Sequence, residues 1–371
     1  MSEWKEYKLG EIADVQTGPF GSQLHMSDYQ NEGTPIITVE HLGDNRIIHN
    51  NLPLVGDEDK NRLSKYVLSE GDIVFSRVGS VDRRAYVSAN ENGWMFSGRC
   101  LRVRPSQEVD SKYLSYYFGL EDFKETIRRI AVGATMPSIN TSILSNVVVT
   151  LPQLGTQHRI ASILTSLDDK VDLLRRENAT LEAMSETLFK KWFVVEAKEE
   201  WEEGKLGDLI EVKYGKDHKK LSEGTIPVFG SGGIMRYADK YLYDMESVLI
   251  PRKGSLNNVM YINEPFWTVD TMFYTEMHRP NIAKFVYHFM KGLDLANMNV
   301  GSAVPSMTTE VLNNIPVDIP PQEVFERFEN SVASLYNKKE KNSKQIQTLI
   351  QTRDGLLPRL MGGGMRDVNY K

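Results

Sequence analysis

The sequence repeats itself, and the repeat limits the folds that the chain can adopt. The stretch GATMPSINTSILSNVVVTLP starts at Gly133, and the stretch GSAVPSMTTEVLNNIPVDIP starts at Gly301. The offset of 168 (301 − 133) needs no gap, and it continues for about 60 residues through matches such as Leu181 with Leu349. Similarity at a fixed offset indicates two copies of one structural unit.

The two copies also match upstream, at larger offsets. WKEYKLGEIADVQTG from Trp4 corresponds to WEEGKLGDLIEVKYG from Trp201, an offset of 197, and SRVGS corresponds to PRKGS at an offset of 175. Falling offsets mean longer loops in the first copy with the order of elements kept, since loops tolerate length changes better than cores do. A chain of 371 residues is also too long for one ordinary core, so two halves are expected.

Each copy has a globular part and a helical part. Residues 1–152 and 196–320 are interrupted by Gly, Pro and Asn and contain short apolar runs such as GDIVFSRV, SVLIPR and NVVVTLP, which predict strands. The run KYLSYYFGLEDFKETIRRIA predicts a helix among them. Residues 153–195 and 321–361 predict one long helix each, and residues 362–371 a tail. The predicted fold class is α+β, with two pseudo-symmetric globular domains separated by two long helices.

Both predicted helices carry a heptad pattern. The predicted seam consists of Leu164, Leu167, Val171, Leu174, Asn178, Leu181, Leu188, Val332, Leu335, Ile346, Leu349 and Leu356. A helix of about 40 residues is roughly 60 Å long, and two equal seams favour pairing of the helices over packing of each on its own domain. Intervening globular sequence allows either direction, and a two-fold repeat favours an antiparallel coiled coil. Polar seam residues such as Asn178 and Asn342 cost stability but can fix the register.

Bulk properties predict a folded cytoplasmic protein. No apolar run approaches the roughly 18 residues that a membrane helix needs, and the polar start MSEWKEYKLG lacks the pattern of a secretory signal. The single cysteine, Cys100, excludes an internal disulfide and fits a reducing compartment.

Charge is segregated along the chain. The formal net charge of −6 argues against a uniformly basic surface for coarse binding of nucleic acid. Residues 77–104 nevertheless carry six arginines against two acidic residues. A local basic face is therefore compatible with the acidic total.

Motifs for catalysis are weak. PVFGSGG, from Pro227 to Gly233, is similar to the glycine turn that holds the cofactor in adenine methyltransferases, but no acidic-Pro-Pro-aromatic motif accompanies it, which favours a turn between strands. The Glu-x-Lys tripeptide at Glu211 to Lys213 has no lysine in the first copy, so a nuclease metal site is disfavoured. The seven histidines show no zinc-binding spacing. Cys100 is expected in the core, and Trp94 and Trp267 are expected to be core anchors.

Taken together, six stretches resemble the specificity subunit of type I restriction–modification systems. They are WKEYKLGEIADVQTGPFGSQL, GDIVFSRVGSVDRRAYV, LPQLGTQHRIASILTSLDDKVDLLRRENATLEAMSETLFKKWFV, IPVFGSGGIMRYADKYL, RKGSLNNVMYI and PFWTVDTMFY. The resemblance covers nearly the whole chain apart from the GGGMRDVNYK tail, and Leu151 to Val194 is its most specific part.

The resemblance implies a DNA-reading subunit without catalysis of its own. Residues 1–152 and 196–320 would be target recognition domains, each reading one half of a split, asymmetric site in double-stranded DNA. The helices at 153–195 and 321–361 would be the antiparallel spacer that sets the separation of the half-sites and docks partners. The implied partners are two modification subunits, which use S-adenosylmethionine and flip the target adenine, and restriction motor-nuclease subunits, which use ATP and Mg. This chain would bind no cofactor or metal itself.

Loop cations and polar side chains are the expected DNA contacts, since phosphates attract Lys and Arg and base edges bond Arg, Lys, Asn, Gln or Ser. In the first domain we expect Arg77, Ser80, Arg83 and Arg84. In the second domain we expect Lys213, Lys216, Lys219, Lys220, Arg252, Lys253, Asn257 and Asn258.

Two other classes of protein stay open at this point. A coiled-coil scaffold that binds proteins predicts binding that changes little with salt, whereas phosphate contacts weaken steeply as salt rises. A methyltransferase in its own right rests on PVFGSGG alone and predicts binding of S-adenosylmethionine by the isolated chain.

Overall fold

The computed structural model describes residues 4–21, 23–298 and 306–362. The chain divides into two compact units: unit 1 is Met1–Leu173 with Gln345–Lys371, and unit 2 is Leu174–Lys344. This division differs from a linear one because each long helix contributes to both units. The predicted tail lies outside the described residues except for Gly362, as do Gly301 to Pro305 of the second repeat phrase.

Unit 1 begins with a globular part of short strands and helices. Its elements are β1 (Lys5–Lys8), α1 (Leu9–Ile12), β2 (Ala13–Thr17), β3 (Tyr29–Gln30), β4 (Thr34–Ile37), β5 (Leu54–Val55), α2 (Asp57–Arg62), β6 (Ile73–Ser76), β7 (Arg84–Tyr86), β8 (Met95–Phe96), β9 (Cys100–Pro105), α3 (Ser111–Tyr117), α4 (Glu121–Ile130), α5 (Thr141–Ser145) and β10 (Val148–Leu151). The run that predicts one helix forms two, α3 and α4, because the chain turns at Gly119.

Three sheets organise this globular part. β1 pairs with β10, a four-stranded sheet has the order β2-β9-β6-β7, and another has the order β3-β5-β4-β8 with β4 and β8 parallel. β6 is buried along its whole length, as expected for an apolar strand between neighbours. Trp94 packs against one of the cores formed in this way.

The long helix α6 (Leu154–Lys190) follows, ends in a π-helical turn over Lys191–Val195, and leads into the globular part of unit 2. The later elements are β11 (Glu202–Lys205), α7 (Leu206–Leu209), β12 (Ile210–Tyr214), β13 (Ile226–Gly230), β14 (Gly233–Ala238), β15 (Ser247–Pro251), β16 (Met260–Ile262), β17 (Trp267–Thr268), β18 (Met272–Met277), α8 (Ala283–Lys291), α9 (Thr309–Asn313), β19 (Pro316–Ile319) and α10 (Gln322–Met361).

Two of the three sheets of unit 2 have the same strand orders as their counterparts in unit 1, and the third has one strand fewer. β11 pairs with β19, a four-stranded sheet has the order β12-β18-β15-β16, and β14-β13-β17 forms a third sheet with β13 and β17 parallel. Trp267 packs against the core beside this third sheet. The mixed helix-and-sheet composition that the sequence predicts is therefore confirmed.

The duplicated phrase encodes a capped helix followed by a strand. The side chain of Asn140 accepts a hydrogen bond from the backbone N–H of Ile143 at the start of α5, and Thr308 accepts one from Val311 at the start of α9. Such caps satisfy N–H groups that have no partner inside the helix. The equivalent Asn146 and Asn314 bond back to the carbonyl four residues earlier. The phrase is repeated because both copies build this one local structure.

Four of the twelve predicted seam residues are buried, and two of these, Leu164 and Val332, belong to the cores of unit 1 and unit 2 respectively. Leu164, Val171, Leu174 and Val332 are buried, and Asn178, Leu167, Leu181, Leu188, Leu335, Ile346, Leu349 and Leu356 are partly buried. In unit 1, Arg353 on α10 donates to Asp168 on α6 at 2.8 Å. In unit 2, Asn342 on α10 is buried against Asn178 on α6. The second helix continues through Pro358 to Met361.

Within the described residues, no helix is long and apolar enough to span a bilayer.

Candidate nucleic-acid interface

In unit 1, four loops meet at the ends of β2, β6 and β9. We call residues 18–21, 77–83, 97–99 and 131–139 the first loop cluster. Gly18 N–H bonds the carbonyl of Cys100 at 3.2 Å, and Gly79 N–H bonds the carbonyl of Pro137 at 2.8 Å. A third bond, from the N–H of Arg77 to the carbonyl of Arg99, joins these pairs, so backbone hydrogen bonds hold all four segments together.

Arg77 lies at the centre of the first loop cluster. Its backbone N–H bonds the carbonyl of Arg99 at 2.8 Å, its carbonyl accepts from the N–H of Ile139 at 3.0 Å, and its Nη1 donates to the carbonyl of Gly98 at 3.0 Å. The guanidinium also lies 5.2 Å from the ring centroid of Phe20, within the range of a cation–π contact. The protein therefore holds Nη1 of the Arg77 guanidinium, and the other N–H groups of this fork-shaped group can donate to a ligand.

Unit 2 contains the equivalent arrangement around Arg252. We call residues 215–220, 252–258, 269–271 and 306–307 the second loop cluster. Arg252 N–H bonds the carbonyl of Thr271 at 2.8 Å, its carbonyl accepts from Met307 at 2.9 Å, and its Nη1 donates to the carbonyl of Asp270 at 3.3 Å. Its guanidinium lies 5.4 Å from the ring of Tyr214.

The two arginine loops agree bond for bond. Arg77 and Arg252 occupy the same position of the repeat, as do their partners Gly98 and Asp270. Isolated β-bridges join Val78 to Ser138 in unit 1 and Lys253 to Ser306 in unit 2. Sequence reasoning aligned SRVGS with PRKGS, and the structure shows that the match preserves a loop conformation.

Two glycines in each cluster occupy positions that a residue with a side chain would not fit. Gly79 and Gly254 have φ values of +74° and +83°, which glycine adopts at little cost. Gly18 and Gly215 lie so close to the opposite loop that a Cβ would overlap the carbonyl oxygens of Ser97 and Val269. A larger residue at either position would force the loops apart.

The other predicted contacts in unit 1 divide by exposure. Ser80 is exposed at the loop tip, whereas Arg83 donates Nη2 to the carbonyl of Leu42. Arg84 does not reach the surface: it is 6% exposed, and its Nε donates to the carbonyl of Ser115 at 3.0 Å. Burial lowers the pKa of Arg84, and the nearby Asp44 carboxylate opposes that shift. We therefore correct the prediction for Arg84, which stabilises the interior in this structure.

In unit 2, Lys216, Lys219, Lys220 and Lys253 are exposed. Lys213 is paired with Glu211, Nζ to Oε1 at 2.6 Å, and this hydrogen bond raises the pKa of the lysine. The two predicted asparagines, Asn257 and Asn258, hydrogen-bond to other protein groups.

Asn257 donates to Asp294 and accepts from the N–H of Ala296, and Asn258 donates to the carbonyl of Ser231 at 2.8 Å. Both amides thus have protein partners in this structure.

Sequence reasoning missed the aromatic partners of the two arginines. Phe20 is half exposed beneath Arg77, and Tyr214 is half exposed beneath Arg252. It also missed Arg99, an exposed cation whose backbone carbonyl pairs with Arg77. The sequence places Phe20 and Tyr214 beside a glycine, but the contact depends on tertiary packing and is not encoded by spacing.

The motifs considered for catalysis have structural explanations. PVFGSGG forms the hairpin between β13 and β14, as the turn interpretation predicts. Burial raises the pKa of Cys100 to about 12, which makes this core thiol a poor nucleophile. Across residues 4–21, 23–298 and 306–362, no group of three or more His, Cys, Asp or Glu residues could hold a metal ion.

Comparisons with known proteins agree on one family. A family model described as the type I restriction modification DNA specificity domain matches residues 1–183 and 198–351. The chain is 24% identical over 415 residues to the type I restriction enzyme MjaIX specificity subunit of Methanocaldococcus jannaschii, covering 98% of this chain and 94% of that protein. It is 21% identical over 480 residues to the HindI specificity subunit of Haemophilus influenzae, covering 98% and 100%.

A solved structure has the same fold. The crystal structure of the S subunit of a type I restriction–modification system from M. genitalium aligns with a TM-score of 0.62 at 19% identity, covering 97% of this chain and 96% of that chain. At this identity, the likeness is evidence for the fold alone.

Proposed function

The chain belongs to the family of type I restriction–modification DNA specificity proteins, and from this premise we propose that its two globular parts read the two halves of a split, asymmetric target in double-stranded DNA. The proposed recognition domains are residues 1–152 and 196–320. The proposed spacer helices are residues 153–195 and 321–361.

The matched loops around Arg77 and Arg252 carry this proposal. Each loop holds an arginine by the same backbone and side-chain bonds, while the residues around it differ between the units. Positions 82 and 83 are Asp-Arg, whereas the equivalent positions 257 and 258 are Asn-Asn. One docking geometry with two sets of side chains suits a target whose halves have different sequences.

We assign the DNA contacts to cations and a serine of each cluster that are exposed or partly exposed. In unit 1 they are Arg77, Ser80, Arg83 and Arg99, and in unit 2 they are Lys216, Lys219, Lys220, Arg252 and Lys253. Lysines suit phosphates, whereas the fork of an arginine can bond O6 and N7 of guanine together. Lys213, Asn257 and Asn258 would have to exchange a protein partner for DNA.

The long helices are proposed to pair as an antiparallel coiled coil that sets the spacing between the half-sites. Contacts within each unit support this direction: Asp168 on α6 meets Arg353 on α10 in unit 1, and Asn178 on α6 meets Asn342 on α10 in unit 2. From the first pair to the second, the residue number rises along α6 and falls along α10. A pseudo-two-fold relation between the globular parts follows from the same proposal.

Catalysis is proposed to reside in other chains of a cytoplasmic complex. Two modification subunits would use S-adenosylmethionine to methylate an adenine in each half-site, and restriction subunits would use ATP and Mg to move and cut DNA. The outer faces of the spacer helices would dock the modification subunits. This chain would contribute sequence recognition and bind no cofactor.

A map of modified bases tests the proposal. Genomic DNA would be compared between cells that express this chain with its neighbouring modification subunit and cells that lack only this chain. We expect a new split motif with methyladenine in each half. Soluble chain bound to its modification subunit but producing no new motif would contradict the proposal.

Salt dependence separates DNA reading from a protein scaffold. Binding through several phosphate contacts should fall steeply with added salt, with a slope of about 0.9 per contact on logarithmic axes. Binding of S-adenosylmethionine by the isolated chain would instead favour a methyltransferase.

A further inference from the structure

We propose that the hairpin of β13 and β14 in unit 2 reads base edges in the major groove, and that Ile234 and Met235 contact the C5 methyl group of a thymine. This inference rests on the proposed DNA-reading function. It assigns a chemical role to the hairpin that the PVFGSGG stretch helps to form.

The outer strand of the hairpin is unusually exposed for its composition. Among the described strands β14 lies at an edge, and its side chains Ile234, Met235 and Tyr237 are 47%, 59% and 42% exposed. The pairing shifts register between Val228 and Phe229, which makes Met235 the extra residue of a β-bulge, so the usual alternation does not separate Ile234 and Met235 onto opposite faces. An exposed apolar edge strand favours aggregation unless something covers it. The exposure therefore indicates that another molecule covers this strand.

Hydrogen bonds tie this hairpin to the second loop cluster. Arg236 on β14 donates Nη2 to the carbonyls of Leu221 at 2.8 Å and Ser222 at 3.2 Å, beside the loop that carries Lys216, Lys219 and Lys220. Asn258, in the Arg252 loop, donates to the carbonyl of Ser231 in the hairpin turn. An occupant of the hairpin would therefore lie beside the exposed lysines.

The charge around the hairpin favours DNA as that occupant. Residues 214–240 carry five Lys or Arg against three Asp or Glu, within a chain of formal net charge −6. Arg252 and Lys253 lie in the loop bonded to the hairpin turn and add two cations. A polyanion matches this local excess of positive charge better than an average protein surface does.

The shape and chemistry of the hairpin fit the major groove. A two-stranded ribbon fits that groove, and the thymine methyl is the apolar group displayed there, which side chains recognise by contact. Met235 lies over Gly230, where a Cβ would meet its sulfur. Beside it is a recess of about 680 Å³ whose lining includes Asp217, Lys219, Val269 and Asp270. The recess combines apolar side chains with one lysine and two aspartates, so the positive charge that favours DNA comes from the loops around it.

Unit 1 has a different element at this position. The equivalent strands β4 and β5 also pair antiparallel, but residues 38–53 separate them, whereas Ser231 and Gly232 alone separate β13 from β14. A reading ribbon in one unit alone agrees with two half-sites of different sequence.

The test removes one methyl group from the DNA. The full-length chain, purified with its modification subunit, is titrated with duplexes that contain the mapped target. In the half-site that depends on Arg252, each thymine is replaced in turn by deoxyuridine, which lacks the C5 methyl. We expect one replacement to weaken binding about threefold to fivefold, the effect of exposing one buried methyl-sized group.

Variants of the hairpin complete the test. Ile234→Ala or Met235→Ala should weaken binding to the thymine duplex by a similar factor. Each variant should then bind the deoxyuridine duplex as tightly as it binds the thymine duplex. Both side chains are exposed, so folding should be retained. Met245→Ala, another exposed methionine of unit 2 outside the hairpin, should keep the difference between the two duplexes.

Each contrary outcome has a separate meaning. Specific DNA binding that ignores deoxyuridine at every thymine of this half-site overturns the inference and leaves the proposed function intact. Hairpin variants that weaken assembly with the modification subunit but keep the methyl effect also overturn it, since the hairpin would then be a protein-docking surface. Absence of any sequence-specific binding overturns the proposed function and this inference together.

Discussion

Asn342 donates a hydrogen bond from Nδ2 to Oδ1 of Asn178 across 3.0 Å, in unit 2. The same nitrogen donates to Oε2 of Glu177 at 2.9 Å, and Asn342 is 1% exposed. An amide can make these bonds at one register of the two helices only, whereas apolar side chains tolerate small shifts. The pair therefore fixes the register of the two helices in unit 2, at a cost in stability relative to apolar side chains.

Replacing Asn342 with alanine should destabilise the chain by about 1–3 kcal/mol, because Asn178 and Glu177 would lose a buried donor. The urea midpoint, followed by circular dichroism, measures the change. Asn330→Ala is the matched control, since Asn330 is exposed on the same helix. An Asn342→Ala midpoint equal to that of the control would mean that the pair contributes nothing to stability.

His288 should make unit 2 sensitive to acid. Burial, followed by the positive charge of Lys291, lowers the pKa of His288 to about 4 from 6.5, and the imidazole Nε2 lies 2.9 Å from the hydroxyl of Tyr336. The unfolded chain therefore binds a proton that the folded chain does not between pH 6.5 and 4. This contribution to stability, about 3 kcal/mol, is present above pH 6.5 and is lost as the pH falls towards 4.

Urea unfolding at several pH values between 7 and 4 measures this effect. His288→Phe should flatten the pH dependence of stability in that window, whereas His25→Gln, at an exposed site of unit 1, should leave it unchanged. An equal slope in all three proteins would assign the acid sensitivity to other groups.

The local parts of the fold are predictable from the sequence, and the reasons are physical. The heptad rows locate α6 and α10 because helix periodicity is a local property. Gly79 and Gly254 mark matched turns because few other residues adopt their backbone angles. By contrast, the sequence predicts Arg84 as a surface cation, and its burial against Ser115 depends on helix α3, which lies 31 residues further along the chain.

The candidate site shows the same limit. Spacing places Arg77 and Arg252 in equivalent loops, but their contacts with Phe20 and Tyr214 arise where separate loops converge. The exposure of Ile234 and Met235 is likewise invisible in the sequence, where IMRY has the composition of an ordinary strand.

Arg77→Ala and Arg252→Ala should each impair one half-site. Loss of an arginine that bonds a base should cost about 1–3 kcal/mol and relax the sequence preference at that position. Fluorescence anisotropy with duplexes mutated in one half or the other measures the preference. Arg129→Ala, at an exposed arginine outside the first loop cluster, is the control. If either variant relaxed both halves equally, the two clusters would not read separately.

Exchange of residues 1–152 for the corresponding part of another family member should change one half-site and leave the other unchanged. The reason is that the loop clusters are each held by bonds within their own unit. Mapping of methyladenine in cells that express the hybrid reports both halves at once. A hybrid that altered both half-sites together would contradict modular reading.

Insertion of four residues into α6 near Asn178, about one helical turn, should lengthen the permitted spacer between the half-sites and leave both sequences unchanged. Four residues add about 6 Å to a helix, close to the rise of two base pairs. Because Asn178 bonds Asn342, the variant should be paired with a second one that carries a matched insertion beside Asn342 in α10, which keeps the polar pair in register. Methylation mapping measures the spacer in each variant. A substitution of four exposed residues of α6 without a change in length is the control. An unchanged spacer in the doubly inserted protein would mean that the helices do not set the distance.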